Sequence, residues 1–173
     1  MKIFSEESSS FDGIVGRTAA IGNIFRLIEQ VAKTNVTVLL YGESGTGKEL
    51  VAHSIWKRGP RSKKPFVAVN MGAIAPELAV SELFGHEKGA YTGAVERKSG
   101  RFEQADGGTI FMDEISTMDY RTQIALLRVM ETKTIHPIGS RNSRSIDVRV
   151  IGATNRDLLE LVAGGKFRED LYY

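Results

Sequence analysis

The chain has 173 residues, of which 42% are hydrophobic and 25% are charged, and its formal net charge is +2. These values are ordinary for a globular protein, and so small a charge argues against nucleic acid as the main partner. The absence of cysteine excludes disulfides and thiolate metal sites. Because no apolar run reaches membrane-spanning length and no apolar signal segment follows Met1, we expect a soluble cytoplasmic protein of one domain.

Residues 1–10 are polar and acidic and are predicted to form a flexible lead-in to a domain over residues 11–173. Residues 11–16 are predicted to be a short apolar loop. Thr18 is the predicted N-cap of the first helix. The apolar residues of this helix recur at helical spacing and are expected to face the core: Ile21, Ile24, Phe25, Ile28, Val31 and Ala32.

Strands and helices are predicted to alternate along the rest of the chain. Apolar runs that end in polar residues predict strands at 36–41, 65–70, 109–112 and 146–153. Helical patterns are found at 48–58, 76–85, 118–131 and 158–162, and the third is expected to bury Ile124, Leu127 and Met130. This alternation predicts an α/β fold with a mainly parallel sheet between two layers of helices. Ligands bind such sheets at the carboxyl ends of the strands.

A glycine-rich segment links the first strand to the next helix: Gly42-Glu43-Ser44-Gly45-Thr46-Gly47-Lys48-Glu49. A strand, a glycine-rich loop and a helix in this order are typical of a phosphate-binding loop. The glycines let successive N–H groups point at one anion, and the helix N-terminus and Lys48 add positive charge. The alternative is a turn that binds nothing, which the spacing, the strand and the lysine together disfavour. Glu49 stands where a magnesium-binding Ser or Thr is usual.

Carboxylates and amides follow three of the predicted strands. Asp113, at the end of the third strand, is predicted to hold magnesium, directly or through water. Glu114 is predicted to polarise the water that attacks the terminal phosphate. The alternative is that the two carboxylates cap the following helix. Asn70 and Asn155 could orient the water, the glutamate or the phosphate, although either one alone is more typical of a turn.

A second glycine-rich segment is predicted to be an exposed loop: Gly89-Ala90-Tyr91-Thr92-Gly93-Ala94. Together with residues 42–49, 82–88, 107–115 and 167–173, it resembles the central AAA+ ATPase domain of bacterial sigma-54-dependent transcription activators. In that family the loop reads Gly-Ala-Phe-Thr-Gly-Ala, moves with the nucleotide state and contacts the sigma factor in the closed polymerase–promoter complex. The resemblance covers residues 11–173 and implies a three-layer α/β/α fold, ATP and Mg²⁺ as cofactors, and sigma-54 RNA polymerase as the partner.

The resemblance also implies roles for single residues. Family members carry glutamate after the phosphate-loop lysine, so Glu49 does not count against ATP binding. Asp113 and Glu114 match the Walker B acid and the catalytic glutamate. Asn70 matches the asparagine that holds this glutamate idle, and Asn155, with the threonine before it, matches the first nucleotide sensor.

Two further segments match the family at the ends of the chain. Ile14-Val15-Gly16 resembles the loop on the adenine side of the nucleotide. Arg168 resembles an arginine finger, which reaches the ATP of the next subunit in a ring that is expected to be a hexamer. The alternative for Arg168 is a surface arginine near Glu169 and Asp170.

Two features depart from the family. Where the family usually has a short charged stretch before Val-Gly-Gly, in a segment that supports the moving loop, this chain has Ile135-His136-Pro137-Ile138-Gly139. The chain also ends at Tyr173, whereas the family continues with a second arginine, a helical lid and usually a DNA-binding helix-turn-helix. The resemblance therefore implies an α/β subdomain without its lid, and DNA contacts through a domain outside this chain.

Three functional hypotheses follow. The leading one is an ATPase domain that remodels sigma-54 polymerase. The second is a nucleotide-binding and assembly module with little or no turnover, because the lid is missing. The third is an unrelated phosphate-loop enzyme such as a kinase. The loop at residues 89–94 and the lack of a recognisable phosphoacceptor pocket argue against the third hypothesis.

Overall fold

A computed structural model describes residues 10–16 and 18–173, without the side chains of Ser10 and Val15. Residues 1–9, which make up nearly all of the predicted lead-in, lie outside the described part. No helix within the described part is both long and apolar enough to cross a membrane.

The described residues form eight strands and seven α-helices. The strands are β1 (Ser10–Phe11), β2 (Ile14–Val15), β3 (Val38–Tyr41), β4 (Phe66–Asn70), β5 (Thr109–Asp113), β6 (Thr134–Ile135), β7 (Arg144–Ser145) and β8 (Arg149–Thr154). The helices are α1 (Ala19–Ala32), α2 (Lys48–Lys57), α3 (Pro76–Phe84), α4 (Arg101–Gln104), α5 (Tyr120–Thr132), α6 (Leu158–Ala163) and α7 (Glu169–Tyr172). All four predicted strands and all five predicted helices of the domain are therefore present, with shifted ends.

The first six described residues form a hairpin and not the predicted apolar loop. Strands β1 and β2 pair antiparallel, with Ser10 opposite Val15. The turn residues Asp12 and Gly13 both have positive φ, 53° and 91°, as a type I′ turn requires, and Asp-Gly is a preferred pair for that turn. The Asp12-Gly13 pair therefore specifies this hairpin locally. Ser10, which belongs to the predicted lead-in, pairs with Val15 and is part of the domain.

The central sheet is parallel, as predicted, and its strand order is β3-β8-β5-β4. The register pairs Tyr41 with Thr154 and Asn70 with Asp113. The carboxyl ends of the four strands therefore meet along one edge of the sheet.

Helices cover both faces of this sheet and give three layers. On β5, Phe111 packs with Ile28 of α1 and Ile55 of α2, whereas Met112 packs with residues of α3 and α5 on the other face. This alternation follows from the period of two along a strand. The predicted α/β/α sandwich is confirmed.

Two predicted helix faces are wrong in detail. In α1, Ile28 and Ala32 are buried, but Ile24 is 38% exposed and lines a surface cavity together with Leu39 and Tyr41 of β3. In α5 the buried side chains are Thr122, Gln123, Leu126 and Val129. Ile124, Leu127 and Met130 are only half-buried, although Met130 packs against the core as predicted.

The buried glutamine explains the rotated face of α5. The Gln123 side-chain amide donates to the carbonyls of Met118 at 2.9 Å and Lys166 at 3.0 Å, and its oxygen accepts from the N–H of Arg168 at 2.9 Å. A buried polar group with all of its hydrogen bonds made is tolerated in a core. Gln123 therefore fixes the segment before α7 against α5.

The glycine at the start of β5 allows a test of this packing. A Cβ at Gly108 would lie 2.1 Å from the Pro65 carbonyl oxygen, whereas a Cβ at Gly22 in α1 meets nothing within 4 Å. We expect Gly108→Ala to lower the free energy of unfolding by about 2–3 kcal/mol through overpacking. The control Gly22→Ala should raise it by roughly 0.5–1 kcal/mol, because alanine favours a helix interior. Urea unfolding measures both changes, and equal midpoints for the two variants would contradict this account of the packing.

Candidate nucleotide site

The segment between β3 and α2 is a curled loop around the side chain of Lys48. Gly45 and Gly47 have φ of 77° and 84°, in the left-handed region that glycine adopts without strain. Gly47 is the N-cap of α2. The Lys48 ammonium donates to the carbonyls of Gly42 at 2.9 Å and Glu43 at 2.8 Å. The loop thus combines a positive side chain with the N-terminus of a ten-residue helix.

The start of this loop is bonded to the end of β8. The Gly42 N–H donates to the Thr154 carbonyl at 3.2 Å. Thr154 is buried, and its hydroxyl accepts from the Arg156 N–H at 3.0 Å. Asn155, which directly follows Thr154, is exposed at the same edge of the sheet. The structure therefore brings the predicted sensor position next to the phosphate loop.

Asp113 and Glu114 lie at the end of β5, beside the end of β4. Asp113 Oδ1 accepts from the Glu114 N–H at 2.8 Å, and Glu114 is in the left-handed region with φ 55°. A Cβ at Gly72 would lie 2.0 Å from Glu114 Oε2 and 3.2 Å from Asn70 Oδ1. The structure thus places the side chains of Asn70 and Glu114 around Gly72.

The hydrogen bonds of Asn70 differ from those expected of an asparagine that holds Glu114 idle. Asn70 Oδ1 accepts from the Ala73 N–H at 3.2 Å and caps the short 3₁₀ helix Met71–Ala73. No hydrogen bond joins Asn70 to Glu114 within residues 10–16 and 18–173. Asn70 is therefore a turn residue in this conformation, adjacent to the glutamate but not bonded to it.

The helix-capping alternative for the acidic pair is wrong. Asp119 is the N-cap of α5 and accepts from the Thr122 N–H at 2.8 Å. Glu114 precedes the short 3₁₀ helix Ile115–Thr117 but makes no side-chain capping bond to it. The two carboxylates at the end of β5 therefore have no role in capping α5.

Gly72 is a site residue that the sequence reasoning missed. Any side chain at this position would displace the Glu114 carboxylate. A small residue two positions after the asparagine that ends a strand was the available signal. This signal points to Glu114 only when β4 and β5 are known to be neighbouring strands, because Glu114 is distant from Gly72 in sequence.

The hairpin that carries Ile14-Val15-Gly16 is attached to α2. Asp12 accepts from Lys57 Nζ at 2.8 Å and Arg58 Nε at 2.6 Å. Phe11 stacks on Phe25 of α1 with ring centroids 4.3 Å apart. Ile14 packs against the same core cluster as Ile55 of α2. The proposed adenine-side segment therefore lies on the two helices that flank the phosphate loop.

Arg168 lies at the start of α7, and its side chain bonds within the chain. Its guanidinium donates to both oxygens of Asp170, at 2.9 and 2.6 Å, and to the Tyr120 hydroxyl at 2.7 Å. The hydrogen bond with Asp170 raises the pKa of Arg168 and lowers the pKa of the Asp170 carboxyl. These contacts fit the reading of a surface arginine within one chain, and the role in a ring stays a prediction.

The loop at residues 89–94 is closed at its base and exposed at its tip. The Gly89 N–H donates to the Ala94 carbonyl at 2.8 Å, and the Ala94 N–H donates to the Tyr91 carbonyl at 3.0 Å. Tyr91 is 41% exposed, and its ring lies edge-on to buried His86 with centroids 5.1 Å apart. Ala94 is buried. The predicted exposure is therefore found at Gly89 and at residues 91–93, whereas Ala90 is half-buried and Ala94 is buried.

The sequence and fold match a known family. The family described as the sigma-54 interaction domain matches residues 14–173. This chain belongs to that family. It is 51% identical over 169 residues to the DNA-binding transcriptional regulator NtrC of Rhizobium meliloti (strain 1021), an alignment that covers 96% of this chain and 35% of that protein. The chain thus spans about a third of the length of that relative.

Two solved structures resemble this sigma-54 interaction domain. The crystal structure of NtrX from Brucella abortus in complex with ATP is 38% identical, with a TM-score of 0.85 over 92% of this chain and 34% of that chain. The P-loop NTPase domain of a sigma-54 transport activator from E. coli is 23% identical, with a TM-score of 0.62 over 92% of this chain and 91% of that chain. The second match supports the P-loop NTPase fold only.

The ion pairs of Asp12 predict how the hairpin of this sigma-54 interaction domain responds to pH. The hydrogen bonds from Lys57 and Arg58 lower the pKa of Asp12 below its ordinary value. Asp12→Asn should therefore lower the free energy of unfolding at pH 7 by about 1 kcal/mol. The folded-state pKa lies below the unfolded value of about 3.9, so this stabilisation is present above pH ~4 and is lost as the pH falls through the folded-state pKa.

Urea unfolding of both proteins between pH 7 and pH 3 tests this expectation. The difference between the native chain and Asp12→Asn should shrink towards zero at the acid end. A difference that stays constant over this range would show that the Asp12 charge does not hold the hairpin.

Proposed function

We propose that this domain binds and hydrolyses ATP and couples hydrolysis to remodelling of the sigma-54 RNA polymerase closed complex through residues 89–94. The observation that carries the proposal is the meeting of the phosphate loop, Asp113-Glu114 and Asn155 along one edge of one parallel sheet. Membership of the sigma-54 interaction domain family supports the choice of partner.

The phosphate loop would hold the nucleotide phosphates. Gly45 and Gly47 give the backbone the curl that directs N–H groups at an anion, and the Lys48 ammonium already lies inside that curl. ATP bound to the similar NtrX structure supports this assignment. The segment Ile14-Val15-Gly16 would contact the adenine side, because its hairpin lies on the helices beside the loop.

Mg²⁺ would be held by Asp113 together with phosphate oxygens. Within the described ranges 10–16 and 18–173, no group of three His, Cys, Asp or Glu side chains could hold a metal by itself. Mg²⁺ commonly binds one or two carboxylates with the substrate phosphates and water. The single strand-end carboxylate of Asp113 fits this donor set. Bound there, the ion would neutralise charge on the phosphates.

Glu114 would act as the general base that polarises the attacking water. Its carboxylate is one residue beyond Asp113, at the mouth of the same sheet edge. Its position over Gly72, beside Asn70, supports a resting arrangement that changes when the site is loaded.

Assembly into a ring would complete the site. Arg168 would leave Asp170 and reach the nucleotide of a neighbouring subunit in a hexamer. Both the carboxylate it would leave and the phosphate it would reach accept charge-assisted hydrogen bonds from a guanidinium group. DNA would be bound through a different part of a longer protein, as the name of the NtrC relative suggests.

The loop at residues 89–94 would be the contact with sigma-54. Tyr91 presents part of its ring to solvent while His86 supports the other side. A supported, half-exposed aromatic ring provides contact area at little cost in conformational entropy.

A second candidate is a nucleotide-binding module without turnover. The observation that favours it is the internal pairing of Arg168 with Asp170, which occupies the guanidinium that a neighbouring subunit's site would need. Measuring phosphate release from this chain, and from a version extended through the lid that the family resemblance implies, separates the two candidates. Turnover in the extended version alone would assign the second behaviour to the chain by itself.

Glu114→Gln tests the hydrolytic role in the extended version. The amide cannot take a proton from water, so turnover should fall by ~10²–10⁴ while nucleotide affinity stays unchanged. The matched control is Glu77→Gln, which changes an exposed glutamate in the first turn of α3. Phosphate release and calorimetry give the two quantities. Normal turnover in Glu114→Gln would assign the base to another group.

Tyr91→Ala tests the partner contact. We expect an unchanged melting temperature and ATP turnover, and a loss of sigma-54 binding of about 2 kcal/mol or more, because interface aromatics of this kind dominate binding. Tyr91→Phe should bind normally, because it keeps the ring. Capture of sigma-54 in the presence of a transition-state mimic measures the binding. A large fall in the melting temperature of Tyr91→Ala would mean that the ring stabilises the core and would contradict the partner contact.

A further inference from the structure

The segment that leads into the loop at residues 89–94 is hydrogen-bonded to the connection of the β6–β7 hairpin. The Glu87 N–H donates to the Ile138 carbonyl, and the Ile138 N–H donates to the Gly85 carbonyl, each at 2.9 Å. A Cβ at Gly139 would lie 2.9 Å from the Cβ of Ala90. The hairpin connection is therefore in direct contact with the start of the loop, and a shift of one displaces the other.

Four charged side chains join the same two segments. Arg144 of β7 donates to Glu103 at 2.5 Å and to Glu87 at 3.1 Å. Arg97 donates to Glu103 at 2.8 Å and lies 3.7 Å from Glu87. Glu87 precedes the loop and Arg97 follows it, so each carboxylate is shared by two guanidinium groups that come from different segments. We call these four residues the loop-base charge cluster.

The loop-base charge cluster is partly shielded from solvent, which strengthens its ion pairs relative to fully exposed ones. The side chains of Glu87, Glu103 and Arg144 are between 28% and 33% exposed. Burial would raise the pKa of Glu103, but a hydrogen bond from Ser99 and the charge of Arg144 outweigh it and lower the pKa. The Glu103 carboxylate is therefore ionised at neutral pH. Without Arg144, two negative charges would share only Arg97.

Arg144 also supplies a positive charge to the hairpin in which this chain departs from the family. The charged stretch that the resemblance implies is replaced here by His136-Pro137, and Pro137 is buried while His136 is exposed. Among the described residues, neither makes an ion pair. The cation that ties this hairpin to the loop base comes instead from the returning strand, β7.

We propose that Arg144 is a positioning residue that fixes the loop at residues 89–94 against the β6–β7 hairpin, and so sets how Tyr91 is presented to sigma-54. It acts through Glu87 at the start of the loop and Glu103 on α4, and it touches neither nucleotide nor partner. This inference rests on the proposed partner role of the loop. A guanidinium fork can bond two carboxylates at once, whereas a lysine ammonium is a point charge without that fixed geometry.

The experiment uses the lid-extended version with Arg144→Ala, Arg144→Glu and the exchange pair Arg144→Glu with Glu103→Arg. Arg141→Ala is the matched control, because Arg141 is exposed in the same hairpin connection and makes no ion pair among the described residues. Three quantities are measured: phosphate release, sigma-54 capture with ADP and aluminium fluoride, and the rate of tryptic cleavage at exposed Lys88. Melting temperatures exclude general unfolding.

We expect Arg144→Ala to weaken sigma-54 capture about tenfold or more, comparable to the loss of a charge-assisted contact. Cleavage at Lys88 should accelerate, while phosphate release stays within about twofold of the native value. Arg144→Glu should be worse, because it adds a third negative charge. The exchange pair should recover at least part of the capture and protection, which a purely structural defect would not do.

Several results would overturn the inference. If Arg144→Ala captures sigma-54 as Arg141→Ala does, or if the exchange pair recovers nothing, Arg144 does not position the loop. If the native protein hydrolyses ATP but captures no sigma-54, the proposed partner is wrong. Even then, an unchanged rate of cleavage at Lys88 in Arg144→Ala would separately contradict the positioning role.

Discussion

Parallel pairing of four strands in one register is the constraint on which the rest of this structure depends. It sets Tyr41 beside Thr154 and Asn70 beside Asp113, so that loops far apart in sequence start from one edge. Because side chains alternate between the faces of a strand, a slip of one residue would turn each strand over and separate Phe111 from the helices it packs against. The apolar faces therefore hold the register, and the register assembles the candidate nucleotide site.

A short path of covalent and packed contacts leads from that edge to the loop at residues 89–94. The end of β4 continues through a 3₁₀ turn into α3, and α3 ends at Phe84, close before the loop. Ser81 on α3 hydrogen bonds to His86 at 2.7 Å, both buried, and His86 supports the Tyr91 ring. The loop-base charge cluster holds the other side. In the proposed function, a change at Glu114 or Asn70 would reach the loop through α3, while the β6–β7 hairpin holds the loop from a second side.

Features encoded within a few residues were predicted well from the sequence. The strands are short apolar runs with polar ends, and the phosphate loop has its glycines and Lys48 in one segment. The Asp12-Gly13 turn was also local, but its signal was overlooked. Features that depend on distant partners were not predictable. Gln123 can be buried in α5 because Lys166 and Arg168 satisfy its amide. Arg144 reaches carboxylates that lie 41 and 57 residues away.

The central claim is that the loop at residues 42–48 binds the phosphates of ATP, and calorimetric titration of this chain with MgATP tests it most directly. Lys48→Ala removes the ammonium from inside the loop, and Lys63→Ala removes an exposed lysine from a distant turn as a control. The account predicts a Kd about 10- to 100-fold higher for Lys48→Ala, equivalent to ~1.5–3 kcal/mol for a charge-assisted contact, and a native Kd for Lys63→Ala. A native Kd for Lys48→Ala would contradict it.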